Sequence, residues 1–306
     1  MKRRQTTTTI EQAFNTFIED RQLKGISNDC LRNYRQSYYT FIKALNISPD
    51  DNISLINQQA INQFITLKLQ ILKPVSLNHY LRDLRVWLNY MGLNINLHMV
   101  KHPEVKIEGY SNDEVKLLLQ TPDKTANYSV WKSWLIACII LGTGARIGSV
   151  VSLHKQDIDY SNKTITFPHS KNGKTLILPI TDSLIKCIKA FETVWDNNTD
   201  WLVPNFDGTQ STPHGCLQAF NKYCIFVQVA QMGLHALRHT FARLSIEAGM
   251  DLYTLNRFLA HSDIRMTEHY VNVFATNLST TAIPLDNLLK DSRVRRHNNL
   301  SGNDRF

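Results

Sequence analysis

No stretch of this 306-residue sequence is apolar for long enough to cross a membrane; the best candidate, Trp134 to Gly142, is far too short. The start, MKRRQTTTT, carries charge but leads into no apolar segment, so it does not read as a secretory signal. Cysteine is sparse and scattered. Cys30, Cys138, Cys187, Cys216 and Cys224 are an odd number and form no CxxC pair. That removes the usual zinc and dithiol spacings and points to reduced thiols in a cytoplasmic protein. Internal repeats are missing, and low complexity is confined to the threonines at 6–9. Acid also lags base, with 26 Asp and Glu against 34 Lys and Arg, for a net charge of +8 and a pI near 9.2. Such a balance favours a polyanionic partner, nucleic acid before membrane.

An apolar fraction of 43% supports two ordinary cores, and the length suggests two domains. Residues 1–8 read as a polar tail. Ile10, Ala13, Phe14, Phe17 and Ile18 recur at helical spacing across Thr9 to Leu23. Ser27 is placed to cap a second helix to about Leu45, with Leu31, Tyr34, Tyr38, Phe41 and Ile42 on one face. A third helical pattern covers 57–71. Pro74 is expected to break it, and Ser76 to cap a fourth helix running to about Met91. Residues 9–92 thus form a four-helix unit. Its Arg32, Arg35, Lys43, Lys68, Lys73, Arg82 and Arg85 fit either a solvated face or a clamp on a DNA backbone. The stretch 93–110 loses the helical period and reads as a linker.

A second unit is expected over 111–275. Ser111 and Glu114 form a capping-box pattern, and a long apolar helix follows from about Ser129 to Leu141. From Asp157 the period changes to two. Ile158, Thr164 to Phe167 and Leu176 to Pro179 are short strands, with Asn172-Gly173 as a tight turn flanked by Lys171 and Lys174. Helices resume over Asp182 to Val194, Pro213 to Val229, His235 to Ala248, Leu252 to Leu259, and a short one leading to Tyr270. Residues 276–306 place Ile283, Leu285, Leu288 and Leu289 ahead of a basic end. The fold class is mainly α with a small antiparallel β-sheet.

Several tempting motifs fail on spacing. Gly142, Gly144 and Gly148 miss the phosphate-cradle pattern by one place and follow no parallel strand; a glycine turn that presents Arg146 is the better reading. His235 and His239 have metal-ligand spacing, but Ala236 stands where a zinc protease needs Glu, and no third ligand is near. His239 therefore reads as a core or backbone-bonded histidine. His269, beside Tyr270, points to a different helix face. What remains is two arginines, a lysine, two histidines and a tyrosine. This set suits a phosphodiester: arginines fork onto non-bridging oxygens, histidines donate to them or move a proton, tyrosine attacks, and lysine protonates the departing oxygen. No metal, ATP or other cofactor is required.

In combination these segments resemble the tyrosine recombinase (lambda-integrase-like) family. Gly144-Ala145-Arg146 matches its first arginine motif, Lys171 and Pro179 its hairpin lysine, His235, Arg238 and His239 its H-x-x-R-H box, and Leu259-Ala260-His261 with Tyr270 its last box and nucleophile. The resemblance covers roughly residues 9–290. It implies a two-domain, C-shaped clamp on duplex DNA: a SAM-like helical core-binding domain at 9–92 and a catalytic domain from about 108. It further implies that Arg146, Arg238 and His261 hold the phosphate, His235 is an acid/base or phosphate donor, Lys171 is the general acid, and Tyr270 forms a 3′-phosphotyrosyl link. Partners would be inverted-repeat core sites, three further copies in a tetramer on a Holliday junction, and accessory DNA-bending or directionality proteins. Residues 276–306 would dock on a neighbouring protomer. The short region before residue 9 leaves no room for an arm-binding domain, as in the simpler Xer-like or transposon-encoded members.

Two departures stand out. Ala260 occupies a glycine position, where a small residue is expected to have little effect. Ser149 occupies a position that usually holds an acid supporting the first arginine, so another carboxylate must substitute or Arg146 must be held differently. Integration or excision of a mobile element, or resolution of cointegrates or dimers, is the expected task. A type IB topoisomerase and a DNA-binding regulator without catalysis are the alternatives.

Overall fold

The computed structural model describes residues 8–103, 108–168, 175–195, 198–261 and 263–274. The chain separates into two units between residues 105 and 106. The first contains α1 (Ile10–Leu23), α2 (Asn28–Leu45), α3 (Gln58–Leu69) and α4 (Pro74–Tyr90). Thr9 closes a capping box with Gln12 over α1, and the side chains of Ser27 and Asn57 cap α2 and α3. The helices bury an aromatic core. Phe14 stacks on Tyr38 at 3.9 Å between ring centroids, and Trp87 meets both rings edge-on at 5.5 Å.

Two details differ from the sequence reading. Pro74 does not merely end α3. It is the first residue of α4, where its fixed φ suits a helix and its missing N–H leaves nothing unpaired, and Ser76 lies inside the helix. The stretch 93–110, expected as a linker, is divided between the units. Gln58 exchanges side-chain amide bonds with the backbone of Asn96, and the 3% exposed Asn78 does the same with Val100. Leu97 is buried in the first core, whereas Tyr110 is buried in the second. Aperiodic chain is thus held by tertiary hydrogen bonds, which leave no trace in hydrophobic spacing.

The second unit opens with α5 (Asn112–Leu118), capped by Ser111 and Glu114. Helix α6 (Tyr128–Thr143) is buried on nearly every side and packs against α8 (Asp182–Val194), α9 (Pro213–Phe226) and α10 (Leu234–Glu247). An all-round apolar helix of this kind belongs at the centre of a core. The short α7 (Ile147–Val150) follows it. Strands β1 (Ile158–Asp159), β2 (Thr164–Phe167) and β3 (Leu176–Pro179) form an antiparallel sheet in that order, with buried Ile165 opposite buried Leu178. The tip of the β2–β3 hairpin, including Lys171 and the Asn172-Gly173 turn, lies outside the described residues. Helices α11 (Leu252–Leu259) and α12 (Arg265–Phe274) pack on one another, and α12 also packs on α10. The architecture is mainly helical with one small antiparallel sheet.

Candidate active site

Helix ends build the site. Gly144 terminates α6 in the left-handed region at φ 68°, and a Cβ there would lie 2.5 Å from the Phe241 ring on α10. Only glycine permits both the turn and that approach. The turn leaves the Gly144 carbonyl free to accept from Arg238 Nη1 at 2.6 Å, and Arg146 follows at the start of α7. The end of α11 does the same. Ala260 takes φ 45° and ψ 46°, and the Leu259 carbonyl accepts from Arg238 Nη2 at 2.6 Å and Arg146 Nη1 at 3.4 Å.

These carbonyls answer the question raised by Ser149. The last carbonyls of a helix carry partial negative charge, and here two helix termini hold the arginines. Among the described residues, no carboxylate hydrogen-bonds to Arg146 or Arg238. Their positive charge is oriented without being neutralised. Burial and the neighbouring Arg146 pull Arg238 down to about 10, with Tyr270 opposing, so it stays charged at neutral pH. Burial also lowers Arg146, and Tyr270 opposes that shift.

The same end of α11 explains why Ala260 matters for more than its size. The position requires a positive φ, which costs an alanine about 1–2 kcal/mol relative to right-handed backbone. The expectation of little effect rested on side-chain volume, to which the left-handed backbone adds a conformational cost.

The histidines differ in state. His261 Nε2 lies 2.8 Å from Arg238 Nη2, and its Nδ1 lies 2.8 Å from the hydroxyl of the fully buried Thr267. Thr267 in turn donates to Asn256 Oδ1 at 2.8 Å. A guanidinium can only donate, so Nε2 accepts and Nδ1 carries the proton. Burial first, then Arg238, Arg146 and His235, push His261 down to about 4. His235 keeps an open face to solvent; loss of water around the rest of the ring, then Arg238 and Arg146, lower it as well. His239 is not a simple core residue, and among the described residues its hydrogen bond is to a side chain and not to backbone. It is half-buried, and its Nδ1 lies 2.8 Å from the Tyr270 hydroxyl.

Tyr270 is 5% exposed and projects from α12 into this pocket. Its ring lies parallel to His261 at 6.1 Å, and Phe274 stacks on it at 6.2 Å. Burial pushes its pKa above that of a free phenol and so disfavours ionisation, while Arg238 and Arg146 pull the other way. Arg146, His235, Arg238, His261 and Tyr270 therefore converge, Lys171 lies outside the described residues, and His269 is exposed. The residues missed from sequence are His239, Thr267 and Asn256. The i, i+4 spacing of His235 and His239 and the i, i+3 spacing of Thr267 and Tyr270 put each pair on one face. Such an arrangement can grip a phosphodiester with two unneutralised guanidiniums and present a phenol to it.

Comparison with known proteins agrees with that chemistry. A profile described as the Phage integrase family matches residues 110–277, more than half of the chain. Tyrosine recombinase XerA of Saccharolobus solfataricus is 25% identical over 285 residues, spanning 87% of this chain and 89% of that protein. Among solved structures, XerH site-specific recombinase on a palindromic difH substrate, in a post-cleavage complex, aligns with a TM-score of 0.70 at 17% identity, over 87% of this chain and 93% of the other. A lambda integrase tetramer on a Holliday junction aligns with a TM-score of 0.71 at 15% identity, over 91% of this chain and 82% of the other.

Proposed function

Because the chain belongs to the phage integrase family and is a tyrosine recombinase, we propose that it cuts and rejoins duplex DNA at specific sites through a covalent link on Tyr270. The observation that carries this reading is the buried Tyr270 hydroxyl near Arg238, in a pocket whose arginines meet helix-end carbonyls and His261 but, among the described residues, no carboxylate. Charge left over in that way is suited to a phosphodiester and to the extra negative charge of its pentavalent transition state.

In this mechanism Arg146 and Arg238 take the non-bridging oxygens. Tyr270 Oη attacks phosphorus, the 5′-oxygen leaves with a proton from Lys171, and a 3′-phosphotyrosyl bond remains. Attack by a partner strand's 5′-hydroxyl reverses the step. His235, at the open edge, donates to the phosphate or shuttles a proton. His261 has its Nε2 lone pair committed to Arg238 in the free protein, so a phosphate that draws Arg238 away also releases His261. The negative charge then favours the protonated ring, which donates.

The helical unit at 9–92 would bind the core site, and strand exchange would proceed in a tetramer through a Holliday junction on inverted-repeat sites, with accessory proteins setting direction. Residues 276–306, outside the described residues, would dock on a neighbouring protomer. No helix among the described residues is long and apolar enough to cross a membrane; we assign the work to the cytoplasm, on a mobile element or on cointegrates or dimers of a replicon. Nicked suicide duplexes cut from DNA flanking the source gene test the reading. Wild type is expected to give a covalent adduct at one cleavage point, and Tyr270→Phe to bind the same DNA with none. An adduct persisting in Tyr270→Phe would remove Tyr270 as the nucleophile.

A further inference from the structure

Three imidazoles lie near Tyr270, but only one touches the reacting oxygen. His239 Nδ1 is 2.8 Å from Tyr270 Oη. Arg238 and Arg146 lie near enough to that oxygen to favour its anionic form. When the ring is neutral with its proton on Nε2, Nδ1 accepts and the hydroxyl's single proton is directed at it. That assignment requires Nδ1 to be unprotonated. Burial, then His235 and Arg238, hold His239 neutral, down at about 4, and thus able to accept.

The other two rings are excluded on geometry. His261 spends one nitrogen on Arg238 and the other on Thr267, and its ring lies parallel to that of Tyr270. His235 sits edge-on to His239 at 4.5 Å, and among the described residues it is His239 and His261, not His235, whose rings pair with that of Tyr270.

Resting on the reading of Tyr270 as nucleophile, we propose that His239 is the base that receives its proton. As the Oη–P bond forms and the P–O5′ bond breaks, the Oη proton passes to Nδ1 and the electron pair of the broken bond leaves on O5′, which is protonated separately. In rejoining, the 5′-hydroxyl attacks phosphorus, the Oη–P bond breaks, and the His239 imidazolium returns its proton to Oη. The transfer accompanies attack and does not precede it. A neutral phenol holds its proton far more tightly than this imidazole does, but a phenol oxygen bonding to phosphorus does not, and the bound phosphodiester offsets the arginines that keep the ring neutral. His239 thereby serves as base in cleavage and acid in rejoining, at the opposite end of the reacting phosphorus from the group that serves O5′.

Two substitutions separate proton transfer from positioning. His239→Asn places an amide oxygen where Nδ1 was, so it can accept the hydrogen bond but not the proton; His239→Ala removes both. On the nicked suicide duplex, both are expected to slow single-turnover adduct formation by about 100-fold or more. The defect is expected to persist on a duplex with a 5′-bridging sulfur, whose leaving group needs no proton. Lys171→Ala, by contrast, should recover on that substrate. A wild-type rate in His239→Asn would reduce His239 to a positioning residue and overturn the proposal, as would recovery of either variant on the sulfur substrate. Retained adduct in a parallel Tyr270→Phe sample would instead overturn the reading on which the proposal rests. A DNA-free measurement stands beside these. Imidazole ¹⁵N NMR of the full chain should report His239 with Nδ1 unprotonated and with a shift that moves in Tyr270→Phe. A protonated Nδ1 at neutral pH overturns the proposal whatever the DNA experiments give.

Discussion

The interior of the first unit and the pocket between α10, α11 and α12 are both buried, but opposite chemistry fills them. The first is Phe14, Tyr38, Trp87 and their aliphatic neighbours, with rings stacked and edge-on and only Ser37 and Asn78 as buried polar residues among those described. The second encloses Arg238 at 2% exposure, Thr267 at 0% and Tyr270 at 5%, with half-buried Arg146, His239 and His261 around them. Burial in the first unit stabilises by removing apolar surface from water. Burial in the second unit costs solvation, partly recovered through helix-end carbonyls, and leaves net positive charge in place. Position in a core therefore says little about purpose. Uncompensated charge in a core says a great deal.

Paired substitutions of similar size sharpen the contrast most. Trp87→Ala should cost about 3–5 kcal/mol of stability, read by denaturant unfolding. Arg238→Lys should slow adduct formation by about 100- to 1000-fold, because an ammonium cannot span the Gly144 and Leu259 carbonyls and face a phosphate as a planar fork does. A lysine variant with the wild-type rate would break the contrast. An alanine variant with unchanged stability would break it from the other side.

Acid comes next. His239 and His261 are held near 4 in the folded protein against about 6.5 when unfolded. Between those values the unfolded chain binds more protons, so stability is complete above about pH 6.5 and falls as the pH drops toward 4. Each histidine contributes at most about 1.4 kcal/mol per pH unit in that window. The first unit's histidines, His79, His98 and His102, are all exposed. Unfolding followed by probes in each unit should therefore show acid loss concentrated in the second. Equal loss in both would assign it to general charge repulsion.

The smallest expected change is a gain. Ala260→Gly relieves a left-handed alanine and should raise stability by up to about 1 kcal/mol, seen as a higher Tm with the adduct rate unchanged. A lower Tm would mean that the alanine methyl packs better than its backbone suffers.

Much of this was legible in the sequence. The spacing of Ile10, Phe14, Phe17 and Ile18 located α1, the change of period after Asp157 located the strands, and residue types with motif order singled out five of the residues that converge. Other features were opaque for definite reasons. Pro74 carries the same letter whether it ends a helix or begins one. The Asn78 and Gln58 bonds that dock residues 96–100 pair a side chain with distant backbone, which no period records. Ser149 called for a missing acid because sequence lists side chains, and most of the contacts that hold Arg146 and Arg238 are to backbone carbonyls. His239 has helical spacing to His235, but its partner Tyr270 comes from another helix.

The shared Leu259 carbonyl has a consequence for heredity. An acidic anchor can be erased by one codon change, whereas every amino acid supplies a backbone oxygen. The grip on both arginines is therefore indifferent to which residue occupies 259, within the limits of packing, and the genetic vulnerability moves to places where a helix must stop. A saturation screen for lost recombination should find few anchoring hits among the acids of this unit. It should find them at Gly144, where any side chain collides with Phe241, and at Ala260, where bulk and β-branching are the changes least compatible with the turn.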